Sequence, residues 1–395
     1  MRLKIFLILS MAVSVYAQNL QEILDSLAKS KKINSIKAKR DSEIANNELL
    51  FSYDAPSLGA TVAHAKDTQR SGSEYTVIFS QNISHPFSSG SKKNATDFAT
   101  KSFKQAAVHD MHIASLEVAS KYHSACVAKE MQESAAMLLS MQNERFAKVK
   151  KAYELGEVSK KDMLFNKLDL VKLSKKTNGY KREYLQELSS LQQSAENIEI
   201  DSLSCSDLLN LTEDVKLGNI DEHDEIKDLE FQQKSSLASY DVYSAPLSSI
   251  GYFASFADEL DTKRYAVGIS IPLSSLTAQK EQARTKYLNH SSSIGLQKES
   301  LKKEIELSSK SLQIRIKTLY NEHYNLKNEV IPLSEELVKL SKVALDEGEG
   351  MIMEYIDASR SYSENMLEML EIKKSYYKEL FELYRVADKE FGEII

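Results

Sequence analysis

Apolar and polar residues alternate in two short regions of this chain, and nearly everything else follows a helical period. In the first region Tyr75, Val77, Phe79 and Ile83 share one face, with Thr76, Ser80 and Asn82 on the other. In the second, Ile250, Tyr252, Ala254 and Phe256 alternate with Gly251, Phe253 and Ser255. Tyr265, Val267, Ile269 and Ile271 then alternate with Ala266, Gly268 and Ser270. A period of two is that of a β-strand. Pro56 and Pro86 flank the first region, Pro246 and Pro272 the second. Proline suits neither helix interiors nor central strands, so it marks their boundaries. The polar stretches 67–74 and 258–263 are expected to turn two β-hairpins, at 57–86 and 247–272.

From Leu312 the apolar positions step by four and three through Ile316, Leu319, His323, Leu326, Val330, Leu333, Leu337, Leu340 and Ala344. That is a heptad seam, inside which Pro332 should bend the helix. A last seam runs through Met366, Leu370, Tyr377, Leu380, Tyr384, Ala387 and Phe391, with Lys373 as its polar exception. Long helices are expected at 91–152 and 276–344. At about 1.5 Å per residue they reach on the order of 90–105 Å. Only 12 Gly and 5 Pro in 395 residues suit helices of that length.

The pattern occurs twice. Tyr53-Asp54-Ala55-Pro56 returns as Tyr243-Ser244-Ala245-Pro246. Ile83-Ser84-His85-Pro86 returns as Ile269-Ser270-Ile271-Pro272. Ala152-Tyr153-Glu154-Leu155-Gly156-Glu157 returns as Ala344-Leu345-Asp346-Glu347-Gly348-Glu349. Each match is weak alone, but three in one order at nearly one offset indicate a duplicated unit. The first repeat is placed at 18–200 and the second at 221–395, joined by a polar, acidic linker at 201–220. Each repeat reads helix, hairpin, long helix, tip turn (near 156 and near 348), helix.

Two hairpins give four strands, too few to close a barrel, and an open sheet leaves backbone groups unsatisfied in lipid. Closure from several identical chains resolves this, and three would supply about twelve strands. The rival reading is a soluble β-subdomain capping a coiled coil, in a periplasmic adaptor or scaffold protein.

The order of these features resembles the TolC-type outer membrane factors, over residues from about 18 to 391. The marks are the two-fold repeat, the proline-bounded hairpins and the Ala-Tyr-x-x-Gly turn after a long helix. The resemblance implies a mainly α fold with a small β part. Each chain has a long antiparallel α-helical coiled-coil barrel segment and two hairpins that complete a trimeric, 12-stranded transmembrane β-barrel. It implies a homotrimer in outer-membrane lipid that joins a periplasmic adaptor (membrane fusion) protein and an inner-membrane transporter of RND or ABC type. Substrates would leave the cell through an efflux pump or type I secretion system. Glu354 and Asp357, at i and i+3 on one helix face, match the family's acidic entrance positions. The tip residues Leu155, Gly156, Val158, Gly348, Met351 and Ile352 are candidates for docking a periplasmic adaptor, because exposed apolar tips tend to be interaction sites; the alternative is that they only close the helical hairpin. The family's closed entrance is latched by a tyrosine and an arginine. Here the Ala-x-x-x-Gly frame puts Leu345 and Gly350 at those places, so that latch is absent.

Charge and composition narrow the reading further. Arg2 and Lys4, the apolar run 5–15 and Val15-Tyr16-Ala17 read as a secretory signal peptide at 1–17. The destination implied is the outer membrane of a Gram-negative bacterium, with a long periplasmic extension. Removing that leader leaves 49 basic against 57 acidic residues, a net charge of −8. The basic residues are scattered, and even the run 29–32 reads as a solvated helix face, so no nucleic-acid partner is expected. No later apolar run reaches the roughly 18 residues of a transmembrane helix. There is no phosphate loop, nucleophile elbow or HExxH, so neither an enzyme nor a cofactor is expected. His109 and His112, at i and i+3, read as surface or seam residues rather than metal ligands. Met351, Met353, Met366 and Met369 read as packing rather than a Cu(I) path. Cys126 and Cys205 are one pair and no framework. Cys126 is expected buried on a helix, with an unbridged thiol the favoured state.

Overall fold

The computed structural model describes residues 17–50, 52, 54–66, 68, 70–196, 198–200, 202–272 and 278–389. All of the expected leader except Ala17 lies outside these residues, as does Phe391. The chain forms two compact units. One holds the residues up to Ser35, Met111–Gly218 and those from Glu306 onward. The other holds Ile36–Asp110 and Asn219–Ile305.

In chain order the elements are α1 (Leu20–Leu27), α2 (Lys31–Leu50), β1 (Ser57–Lys66), β2 (Ser71–Ser84), α3 (Ser89–Glu154) and α4 (Lys160–Ala195). There follow α5 (Asp224–Ser244), β3 (Ser249–Asp258), β4 (Lys263–Ser270), α6 (Gln279–Asn325), α7 (Ile331–Asp346) and α8 (Ile352–Val386). The chain is mainly helical, with one small antiparallel sheet. The first expected turn is shorter than the polar run suggests, because residues 71–74 already pair with 63–66 in β1. Polar residues alternate on a solvated face as well as in loops, so composition overstated the turn.

The 66-residue α3 is unbroken. Its counterpart in the second copy is interrupted. Residues Leu326–Val330 form a π-helical turn between α6 and α7, directly before Pro332. Proline has no N–H and its ring crowds the carbonyl four residues earlier, here that of Asn328, so the helix widens instead of continuing.

In the second unit the sheet order is β1-β2-β3-β4, antiparallel throughout. The hairpins join through β2 and β3, with Phe79 opposite Ala254 and Ile83 opposite Ile250. At their base the His85 N–H donates to the Ser248 carbonyl (2.7 Å), and Lys92 and Lys280 donate to the carbonyls of Ser84 and Ala245. Beneath it small residues pack tightly: Ala95, Ala107, Ala238 and Val242 are buried.

In the first unit the core runs along α3 through Leu116, Val118, Tyr122, Cys126, Met131 and Leu138. From α8, Leu370, Tyr376, Tyr377, Leu380 and Tyr384 join it. Lys373, the polar exception of that seam, reaches Glu130 at 2.6 Å. Cys126 is buried on α3, but it is bridged to Cys205, with Cα atoms 5.6 Å apart, against the unbridged thiol expected. The segment 202–215 is not a loose connection. Tyr122 donates its hydroxyl to the Ser204 carbonyl, Lys129 to Leu203 and Gln313 to Val215. The Leu209 N–H donates to His123 Nε2, and the Thr212 N–H to the Tyr376 hydroxyl.

Candidate membrane wall and tip site

The register of the sheet sorts its residues by face. Leu58, Phe79, Ala254 and Val267 lie in one row, Ala60, Val77, Phe256 and Tyr265 in the next, and Gln81, Tyr252 and Ile269 in a third. All project to the same side, because residues opposite one another in adjacent strands share a face. The other side carries Thr61, Thr76, Ala257 and Arg264 in one row and Ser57, Ser80, Phe253 and Gly268 in another. One face is therefore apolar and the other polar or small. Ile78 and Phe253 are the large residues on the small-residue face, and Phe253 lies over Gly268, where an added Cβ would meet its ring at 2.4 Å. The apolar face is uncovered: Leu58 is 75 % exposed, Tyr265 78 % and Val267 86 %. Among the described residues β1 and β4 each pair on one side only. A sheet that points its apolar face outward and leaves both edges open is unfinished in water.

The two tips, both in the first unit, are built alike. At the end of α3 the Glu157 N–H reaches the Ala152 carbonyl (2.9 Å) and the Gly156 N–H that of Tyr153 (3.0 Å). At the end of α7 the Glu349 N–H reaches Ala344 (2.9 Å) and the Gly348 N–H reaches Leu345 (3.2 Å). These are two Schellman motifs in the same frame. Each turns through a left-handed glycine, Gly156 at φ 81° and Gly348 at φ 77°. The repeated Ala-x-x-x-Gly-Glu is thus a helix-stop signal used twice. Behind it Val149, Ala152, Val158 and Ile356 form a small core, with Met163, Ile352 and Met353 against it. The methionine cluster joins this packing in part. Gly350 sits so close to α7 that a Cβ would lie 2.8 Å from Ala344 Cβ. Any side chain at position 350 would force the turn to shift.

Chains with this arrangement are known. A membrane protein from Pseudomonas aeruginosa superposes with a TM-score of 0.77 at 16% identity, covering 93% of each chain. The outer membrane protein VceC from Vibrio cholerae gives 0.74 at 11% identity, covering 93% of this chain and 95% of the other. The open state of the MtrE outer membrane channel from Neisseria gonorrhoeae gives 0.74 at 15%, covering 93% and 88%. This chain has the TolC-type outer membrane channel fold. No protein-family model and no curated protein sequence matches it.

Within that fold the sequence-selected residues fall as follows. Glu354 and Asp357 are both exposed near the start of α8. They differ in their surroundings. Asp357 accepts from Arg360 Nη1 (3.1 Å), and Arg360 also holds Asp169 of α4 through Nε (3.1 Å) and Nη2 (2.5 Å). The Asp169 carboxylate raises the Arg360 pKa and fixes its charge. Glu354 makes no side-chain hydrogen bond or ion pair among the described residues. Of the tip residues, Leu155 and Met351 are 65 % and 70 % exposed, whereas Val158 is buried and Ile352 half-buried in the tip core. His112 Nδ1 lies 3.0 Å from Asp388, and His109 Nε2 lies 3.7 Å from Glu225. No helix among the described residues is long and apolar enough to cross a membrane. Arg145 and Arg360 escaped the sequence reading. Arg360 was legible as a cation three residues after Asp357; Arg145 carries no signal in a Lys-rich helix.

Proposed function

We propose that this chain is the protomer of a homotrimeric outer-membrane duct, the exit component of a periplasm-spanning efflux pump or type I secretion system. The observation that carries this reading is the four-stranded sheet with an uncovered apolar face and two open edges. Pairing β1 of one copy with β4 of the next around a three-fold axis completes every ladder. It also turns the apolar face to lipid and the small polar face to a lumen. The helices carry a matching surface. Leu333, Leu337 and Leu340 of the heptad seam are exposed on α7, and Leu164, Leu168 and Val171 are exposed on α4. Such stripes suit helix packing between copies. The signal at 1–17 would export the chain, and the outer membrane of a Gram-negative cell is its destination. At the tips, Leu155 and Met351 are the apolar contacts offered to a periplasmic adaptor, with the two glycines shaping the loops. An RND or ABC transporter would supply the substrate. A transport role without chemistry fits the fold.

The test is mass. The mature protein in mild detergent should run as a trimer from the outer-membrane fraction, by native mass spectrometry. A soluble periplasmic monomer would instead favour the scaffold reading. In lipid bilayers the trimers should be cation-selective if Glu354 and Asp357 ring the entrance, because a narrow low-dielectric constriction focuses their field. Glu354→Gln should cost more selectivity than Asp357→Asn, since Arg360 already neutralises part of the second carboxylate. Unchanged selectivity in the double variant would reduce both to a solvated face.

A further inference from the structure

A second polar feature lies one helical turn from the tip core. A cleft of about 490 Å³ opens between α3, α4 and α8. Its walls carry four cations, Arg145, Lys172, Lys176 and Arg360, and two acids, Asp169 and Glu364. The acids do not balance the cations. Asp169 is taken up by Arg360. Lys176 turns to Glu371 outside the cleft, at 3.4 Å. Arg145 is the exceptional member. It is 5 % exposed, yet no carboxylate lies within ion-pairing distance of it among the described residues. Its Nη1 donates to the Ile356 carbonyl (3.2 Å), and its Nε has no hydrogen-bond partner. Asp169 acts on Arg145 only from beyond ion-pairing distance and is itself held by Arg360, so the buried guanidinium lacks a direct partner, and a buried charge without one is unfavourable. Burial lowers the Arg145 pKa to about 10, which leaves it cationic at neutral pH. The remaining walls are apolar: Phe165, Leu173, Ile356 and Leu367. A cleft of this volume with a few convergent polar groups on an apolar lining has the character of a small-molecule site.

We propose that this cleft binds a small amphipathic organic anion, a sulfonate or carboxylate on an apolar body, with its head group on Arg145. Nε is closed to solvent, so a head group reaches Arg145 at the Nη end of its planar fork, for which an oxyanion is the natural partner. Lys172, exposed at the rim, adds long-range attraction. The apolar body lies against Phe165 and Leu367, which an inorganic anion would leave unfilled. The site is distinct from the acidic pair at the entrance and takes ligands of the opposite charge. It rests on the geometry of one chain, so it stands whether or not the duct reading holds.

The probe is 4-fluorobenzenesulfonate, too short to form micelles, titrated into the detergent-solubilised full chain and followed by fluorine NMR line broadening. Saturable binding at micromolar to millimolar concentration is expected. The neutral 4-fluorobenzyl alcohol should bind at least about tenfold more weakly, and inorganic sulfate should compete only at about tenfold higher concentration. Arg145→Met should weaken the sulfonate at least about tenfold. Lys172→Gln, at an exposed position, should weaken it about two- to threefold. The proposal fails if the wild-type chain binds no sulfonate, or if the alcohol binds equally well. It also fails if Arg145→Met binds the sulfonate like wild type. Binding of an acidic helical peptide in place of the sulfonate would mean that a protein fills the cleft, and would equally overturn it.

Discussion

The two tips share one turn and differ in the helix that follows it. After Gly156, α4 starts at Ser159, whose hydroxyl accepts from the Asp162 N–H (3.2 Å) and donates to the Asp162 carboxylate (2.6 Å). After Gly348, α8 starts at Met351, which has the right extended backbone and no side-chain cap. The helices entering the tips differ in the same sense. Continuous α3 is buried along much of its length and stapled to Cys205, whereas the second copy is broken by the π-turn and exposes leucines on α7. The two tips share the signal that stops a helix and differ in what reinforces it. The α3–α4 tip is the more strongly anchored of the two. Hydrogen exchange should therefore be slower in α3 than in α7.

The largest test removes the staple. Cys126→Ala with Cys205→Ala frees a segment whose ends are 79 residues apart. The chain-entropy model puts the loss at about 4.5 kcal/mol, within the usual range of about 2–5 kcal/mol. The urea midpoint should fall, and exchange in α3 should rise toward that of α7. An unchanged midpoint would mean that the hydrogen bonds of 202–215 suffice to anchor the first copy.

Acid attacks the same anchor. His123 is fully buried, donates Nδ1–H to the Ala119 carbonyl (2.8 Å) and accepts from the Leu209 N–H at Nε2 (3.1 Å). That pattern requires the neutral ring. Burial depresses its pKa from 6.5 to about 4. The unfolded chain then takes up the proton first as pH falls. The contribution is complete above about pH 6.5 and is lost progressively down to about pH 4, roughly 3 kcal/mol in all. A His123→Gln variant should lack this share of the acid sensitivity. Equal pH dependence of the two urea midpoints would show that the clamp does not depend on the ring's charge.

Much of this was legible beforehand, where the signal is local. Alternation at Tyr75–Phe79 and Tyr265–Ile269 marked the apolar face of the sheet, and Pro332 marked the broken helix. The repeated Ala-x-x-x-Gly-Glu marked both tips, because a left-handed C′ position demands glycine wherever it occurs. What stayed hidden depends on contacts distant in sequence. Cys126 and Cys205 meet only once 202–215 folds back. That segment is held largely through its own backbone carbonyls and N–H groups, which leave no side-chain pattern to read. Arg145 looks like any helical cation until burial removes its water.

Smaller effects separate the tips themselves. Gly156→Ala and Gly348→Ala should each cost about 1 kcal/mol, since each forces a left-handed alanine with no steric clash in addition. A clear inequality would locate extra strain in one turn. Ser159→Ala should cost about 1 kcal/mol through loss of the cap.

The complementary change, Met351→Ser, should do the reverse and reaches function. Position 351 already has the backbone of an N-cap, φ −85° and ψ 138°, and Glu354 stands three residues on. A serine there completes the Ser-x-x-Glu capping box: its hydroxyl accepts from the Glu354 N–H, and the Glu354 carboxylate turns back to the N–H of position 351. Replacing an exposed methionine costs little packing, so a gain of about 0.5–1 kcal/mol is expected in the urea midpoint. If Glu354 rings the entrance of the proposed duct, the same step withdraws it from there. Cation selectivity in bilayers should then fall toward that of Glu354→Gln although the carboxylate is retained. A stabilised tip with full selectivity would show that Glu354 can cap its helix and still face the lumen. The free carboxylate would then not be the reason the second tip lacks a cap.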